Sequence, residues 1–299
     1  MKKKIIILDY SIFVHRAGYA TRHTGNKMSI KYLIMSMILS CLKVIGVSEG
    51  DLIIVACDAR NNWRKDYSTE YKSQRKGQRE SSGLDWQHIF GEASVLLEDI
   101  KNALNWAVIF VNKTEADDVA SVACRYEGFK NNEIVLVSYD EDWQMLWYYP
   151  HVKIFSQHPK SKKYKIKPDN FNVYQLIAKK IQKEVSDGLI SPITTLEERA
   201  TREMLVNLIS LPEFVEEPLK QAFDKIDYTK NIRLDLLPGK KIPETFMDIY
   251  LPDKVVTYEE QIVKEEKKEN RIKVKKEKEK LAKKKVKQKL KEEQNGIRK

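Results

Sequence analysis

Residues 51–79 read DLIIVACDARNNWRKDYSTEYKSQRKGQR. Leu52 to Cys57 is an unbroken apolar run of strand length, and it stops at an acid, Asp58. Such short runs, bounded by charge, read as buried strands. The basic segment that follows, Trp63 to Arg79, carries Tyr67 and Tyr71 among its charges and has a helix-compatible composition. In a helix, Lys72, Arg75, Lys76 and Arg79 fall on one face, and the two tyrosines lie four apart on a neighbouring strip. A carboxylate at the end of a buried strand suits a metal ion. Cations with interleaved rings suit phosphates and bases.

The pattern repeats on both sides of this stretch. Lys4 to Leu8 is apolar and ends at Asp9. Trp106 to Val111 is followed by Glu115, Asp117 and Asp118, and Glu133 to Val137 runs into SYDED, with Asp140 and Asp142. Helical stretches alternate with these runs. Tyr32 to Val47 is apolar nearly all round, Ile89 to Ala103 is amphipathic, and a further helix covers Val119 to Tyr126. Strands alternating with helices predict an α/β fold, a mainly parallel central sheet flanked by helices. The acids would then meet at the carboxyl edge of the strands, where open α/β sheets bind ligands. Beyond Asp142 the pattern loosens into short strands at 152–155 and 163–166 and a helix over 174–185. A helical region from 191 to about 224 has Leu196, Met204, Leu205, Leu208 and Ile209 as its apolar face. Residues 225–257 give few signals.

The charge is unevenly spread. Of a net +11, residues 261–299 supply +10 from 17 Lys and Arg against 7 Glu, leaving 37 basic and 36 acidic residues in 1–260. Any nucleic-acid face on the body must therefore be a local patch. Cys41, Cys57 and Cys124 are isolated in apolar stretches. That pattern excludes a disulfide framework and predicts buried thiols in a reducing cytoplasm. The start, MKKKIIILD, has too short an apolar run for export, and no stretch is long enough to span a membrane. A cytoplasmic protein is expected.

Asp9, Asp58, Glu115, Asp117, Asp118, Asp140 and Asp142 cannot all sit ionised together without cations, because like charges raise one another's pKa. Hard oxygen donors select Mg²⁺ or Mn²⁺ over zinc. Two such ions about 3.5–4 Å apart suit an in-line phosphate displacement. The competing reading is that each acid caps the helix after its strand. For any single acid that is the better reading; four strands ending in acid, with a DxD at 140–142, favour the metal. The basic segment also has a plainer reading, a solvated helix with Glu70 and Glu80 as partners. A dinucleotide-binding dehydrogenase is excluded, since no GxGxxG follows a strand. Asp9-Tyr10-Ser11 lacks the DxD of an aspartyl phosphatase.

With these residues assembled, the chain resembles the flap-endonuclease (5′ nuclease) family. The matching stretches are ILDYSIFVHRA (7–17), CDARNNWRKDYSTEYKSQRKGQRESSGLDW (57–86), TEADDVASVA (114–123) and LVSYDEDWQML (136–146), with a weaker trace to about 190. The resemblance implies a first metal site drawn from Asp9, Asp58, Glu115, Asp117, Asp118 and Asp140, the last also catalytic. It implies a second site from Asp142 with Glu184 and Asp187, where Glu184 stands in place of the family's first Asp and the glycine-rich hairpin after it is not recognisable. Lys72 and Arg75 would touch the scissile phosphate as catalytic residues, and Tyr71 would stack on the terminal base. Arg16, Arg64, Lys76 and Arg79 complete the implied nucleic-acid contacts, with Lys160 to Lys167 as a further duplex grip. Two Mg²⁺ ions are implied as cofactors, replaceable by Mn²⁺. The implied partners are DNA and RNA–DNA hybrids with a 5′ end or flap, together with a single-strand-binding protein and a sliding clamp. The chain would act as a monomer, in RNA primer removal during phage DNA replication.

The expected organisation is a catalytic domain over 1–190 with a helical arch near 60–90, a small helical domain over 191–257, and a Lys/Glu-rich tail over 258–299. The tail reads as a lone charged helix, supported by pairs such as Glu279–Lys283, or as a disordered extension. Its charge would add salt-sensitive attraction to a polyanion. Two other functions compete with the metal-dependent nuclease. One is a PIN-type ribonuclease; the other is a non-catalytic DNA-junction binder whose second metal site has decayed.

Overall fold

The computed structural model describes residues 3–24, 29–48, 50–158, 161–182, 189, 193–227, 232–238 and 241–250. Its centre is a six-stranded sheet of β1 (Lys4–Asp9), β2 (Leu52–Ala56), β3 (Ala107–Ile109), β4 (Glu133–Val137), β5 (Val152–His158) and β6 (Ser161–Tyr164), in the order β3-β2-β1-β4-β5-β6. The first five are parallel, and β6 returns antiparallel along β5. The apolar runs are continuous because both faces of these strands are covered. Ile5, Ile7, Leu52, Ile54, Ile134 and Leu136 pack on one side, and Ile6, Leu8, Ile53, Val55, Val135 and Val137 on the other.

The second face is covered by α1 (Tyr10–Thr24), α2 (Ile30–Ile45), α5 (Trp86–Ala103) and α10 (Lys241–Tyr250). The first face carries α6 (Ala116–Arg125), α7 (Val173–Gln182), α8 (Leu196–Val206) and α9 (Glu213–Asp224). Leu205, Leu208, Val215, Leu219 and Phe223 bury in the same cluster as the sheet. Leu196, expected on an apolar face, is 86% exposed; it opens α8 after its cap Thr195. The expected buried helix at 32–47 is α2, which ends at Gly46 in the left-handed region (φ 71°) that favours glycine. α1 was not expected; α10 falls inside the region expected to be helical, where no single helix was marked, and its Ile242, Phe246 and Ile249 pack beside α2. All three cysteines are buried free thiols, and burial pushes Cys41 up to about 11. Among the described residues no helix is long and apolar enough to cross a membrane. The 258–299 tail lies outside the described residues.

The strand order reverses direction at β1, with β2 and β3 on one side of it and β4 and β5 on the other. Loops leaving β1 and β4 diverge there, opening the crevice that α/β sheets use for ligands.

Candidate metal centre and nucleic-acid face

Asp9 ends β1 and Asp140 follows β4, so the two flank that crevice. Ser11 Oγ and Ser138 Oγ each donate to Asp9 at 2.9 Å. Ser138 Oγ also accepts from Asp140 N at 3.0 Å, which ties the two strand ends together. The loops after β2 and β3 are stitched by Cys57 N–Ile109 O (3.1 Å), Ala59 N–Thr114 O (2.8 Å) and Trp63 N–Lys113 O (2.9 Å). This brings Asp58 to the start of α6, where its Oδ1 accepts from Ala116 N at 2.8 Å. Asp117, one residue further on, accepts from Trp143 Nε1 at 2.7 Å.

The acids share one electrostatic field. Burial, then the charges of Asp58 and Asp140, push Asp9 up to about 7 against its two serine hydrogen bonds. Asp58 is also raised, by lost hydration and then by Glu115, although the residue is exposed. Asp117 is raised well above the carboxylate range by burial and by Asp140, Glu115 and Asp9, which outweigh Lys72. Raised carboxylates that repel one another are what a hard divalent cation neutralises. The oxygen donors of Asp9, Asp58, Asp117 and Asp140 are of the chemical type such an ion takes. Among the described residues no three acids form a ready-made ligand group.

The cation among them is Lys72, whose Nζ lies 2.7 Å from Glu115 Oε1 and 4.0 Å from Asp117 Oδ2. Desolvation lowers its pKa, but Tyr71, Glu115 and Asp117 outweigh that and leave it raised. Lys72 holds φ at +53°, a left-handed conformation that costs a non-glycine residue about 1 kcal/mol or more. This turn divides the segment expected to be one helix. α3 (Arg64–Tyr67) and α4 (Arg75–Glu80) are short, and residues 69–74 form turns between them. Lys72 therefore leaves the face it was expected to share with Arg75, Lys76 and Arg79.

Several expected roles change with that break. Tyr71 is 2% exposed and donates from its hydroxyl to Glu115 Oε2 at 2.9 Å, so it is a buried support and presents no ring to a base. Arg64 is 1% exposed: its guanidinium binds Asp118 at 2.7 Å and Glu115 at 3.1 Å, and its Nε donates to Leu205 O. It is a core cation, unavailable to phosphate. Asp118, implied as a ligand, is saturated by Arg64, Trp63 Nε1 (3.1 Å) and Glu115 N (2.9 Å). Glu115 is held by Arg64, Lys72 and Tyr71; burial opposes them, yet they bring it down to about 2. Arg16 is half-buried, and its Nη1 donates to Gln157 O and Oε1, on β5.

Arg75 and Lys76 are exposed, Lys76 lying 4.0 Å from Glu80, and Arg79 is half-buried beside Phe90. Asp142 pairs with Lys180, and its amide donates to Asp140 Oδ1 at 2.8 Å. Glu184 and Asp187 lie outside the described residues. Within the expected grip at 160–167, Lys162 binds Ser40 and Lys167 donates to Trp147 O. Sequence reasoning missed Ser11 and Ser138, although each stands two residues from an acid of the cluster, and it missed Lys180, whose charge lies on a helix with no motif around it.

Residues 4–179 match the profile of a family described as 5′-3′ exonuclease, N-terminal resolvase-like domain. Ribonuclease H of Enterobacteria phage T4 is 26% identical over 160 residues, 52% of each chain, so the match spans about half the length of that relative. The bacteriophage T5 flap endonuclease, solved as a pseudo-enzyme-product complex with DNA and metal ions, superposes with a TM-score of 0.50 at 15% identity. That superposition covers 81% of this chain and 100% of the T5 chain, and it shows a shared fold. A T5 protein co-crystallised with metal ions gives a TM-score of 0.49 at 19% identity, over 82% of this chain and 97% of that one. With more than half of its length matched to the profile, the chain belongs to the 5′-3′ exonuclease family, the flap-endonuclease or 5′ nucleases.

Proposed function

We propose that the chain is a divalent-metal-dependent nuclease that hydrolyses phosphodiesters at 5′ ends or flaps of DNA and RNA–DNA hybrids, serving RNA primer removal in phage DNA replication. The observation that carries this reading is the unbalanced carboxylate set Asp9, Asp58, Asp117 and Asp140 at the sheet's switch point, with Lys72 reaching into it. Mg²⁺ or Mn²⁺ held there would supply charge neutralisation and Lewis-acid activation. The residues of the chain do the positioning. Ser11 and Ser138 hold Asp9, Trp143 holds Asp117, and Asp58 is fixed by the amide of Ala116. Lys72, paired with Glu115, and the exposed Arg75 both act on Asp58 and would bind the phosphate and offset its developing charge. A second site from Asp142, Glu184 and Asp187 remains part of the proposal, as do the single-strand-binding and clamp partners.

Cleavage of a 5′-labelled flap and a matched RNA–DNA hybrid tests it, with Mg²⁺ against EDTA and wild type against Asp140→Asn. Short products that need the metal and fall at least about a hundredfold in the variant are expected. Tight flap binding with no cutting in Mg²⁺ or Mn²⁺ would instead make this a junction binder.

A further inference from the structure

Asp142 differs from the raised carboxylates beside it, because the chain supplies its counter-charge. It forms an ion pair with Lys180 Nζ, and the two side chains are only 19% and 15% exposed. Its amide donates to Asp140 Oδ1 at 2.8 Å. Asp142 therefore lies between the candidate metal centre and an ammonium. Lys72 gives no such balance to the main set, since Asp9, Asp58 and Asp117 stay raised with it in place.

The fold places the ammonium. Val173, Ile177 and Ile181, four residues apart, form the buried stripe of α7. They join the same core cluster as Trp143, Met145, Leu146 and Trp147 of the 3₁₀ segment that Asp142 opens. Lys180, three residues after Ile177 and next to Ile181, is carried along the edge of that stripe. Lys179 and Lys180 both stand in the last turn of α7, where a cation suits the negative helix end. That plainer role accounts for Lys179, which is exposed, but not for the burial of Lys180 against Asp142.

We infer that Lys180 is a built-in competitor of the second divalent ion: its ammonium holds Asp142 in the metal-free chain, and that ion binds only by displacing it. The inference rests on the nuclease reading for the second site, to which Asp142 belongs, and it makes the two ions unequal. An ammonium touching one oxygen of a carboxylate repels a divalent ion at the other. Separating the pair also strands a largely buried lysine unless the ion replaces what Asp142 lost. The first ion meets Asp9, Asp58 and Asp117 without that exchange.

The test is Mn²⁺ binding in the absence of nucleic acid, read from the electron paramagnetic resonance of the free ion, so that no cutting is involved. Wild type should take up one ion tightly and a second weakly. Lys180→Met should tighten the second ion about tenfold or more and leave the first within about twofold. Lys180→Arg keeps the charge and should match wild type. Lys179→Met removes the same charge from an exposed neighbour and should move the second ion by less than about twofold. Melting in EDTA shows which variants are folded, and Lys180→Gln replaces Lys180→Met if the latter is not. Equal second-ion affinity in wild type and the folded neutral variant overturns the inference and leaves the nuclease reading, carried by the first ion, standing. So does a Lys179→Met that tightens the second ion equally, since general charge would then suffice. A wild type that binds no ion, beside a neutral Lys180 variant that binds one, would remove the nuclease reading and leave the competitor standing. No ion in either protein overturns both.

Discussion

Asp118 and Asp9 are aspartates with almost no exposed surface, 0% and 3%, yet their surroundings are opposite. Asp118 receives a guanidinium, an indole N–H and a backbone amide, so its charge is answered on every side. Asp9 receives two serine hydroxyls and faces other carboxylates. A buried acid that the protein itself satisfies is structural. One that the protein confines and leaves unbalanced is poised for an external cation. Glu115 sits between the two regions, joined to Arg64 on one side and to Lys72 on the other.

The largest effect expected from this contrast is on stability. Asp118→Ala would strand Arg64 in the core and cost about 3–5 kcal/mol, measured by denaturant unfolding. A loss below about 1 kcal/mol would mean that Arg64 finds other partners and that the two regions are not distinct.

Next comes pH. Asp9, Asp58 and Asp117 all have raised pKa values in the folded, metal-free chain, Asp9 at about 7. As pH rises from about 4 to about 7, the unfolded chain releases these protons before the folded chain does, so folding stability must fall over that window. Asp9 alone accounts for roughly 2–4 kcal/mol at most. Glu115 works the other way: held at about 2, it contributes stability that is lost as pH falls from about 4.5. In EDTA, thermal melting should therefore be highest near pH 4–5 and decline toward neutrality. A melting temperature that climbs steadily to pH 7 would show that the cluster is not unbalanced.

The smallest effect concerns Tyr71. Tyr71→Phe keeps the buried ring and removes one hydrogen bond to Glu115, costing about 1 kcal/mol, with single-strand affinity unchanged. A large affinity loss would return the stacking role to this residue.

The strands were legible because a strand covered on both faces must be apolar throughout, as Leu52 to Cys57 is, and the acids at their ends followed from the same runs. α1 was harder: its buried stripe of Phe13, Val14 and Ala17 is short and flanked by polar residues. α10 was hidden by Pro243, which sits in the first turn, where a missing N–H disturbs no helical hydrogen bond. The single helix read over 63–80 failed because tertiary contacts overrode composition: Tyr71 and Lys72 are drawn into the acid cluster, and the left-handed turn at Lys72 breaks the helix. Which acids are balanced was not legible at all. That depends on where Arg64, Lys72 and Lys180 place their charges, and their spacing in the sequence carries no sign of it.

The central claim is that Asp9 and its neighbours await a divalent ion. Melting of wild type and Asp9→Asn near neutral pH, each with EDTA and with Mn²⁺, tests it most directly. Mn²⁺ should raise the wild-type melting temperature by mass action, and Asp9→Asn should melt above wild type in EDTA yet gain little from the metal. An equal Mn²⁺ shift in both proteins, with Asp9→Asn no more stable in EDTA, would contradict the account.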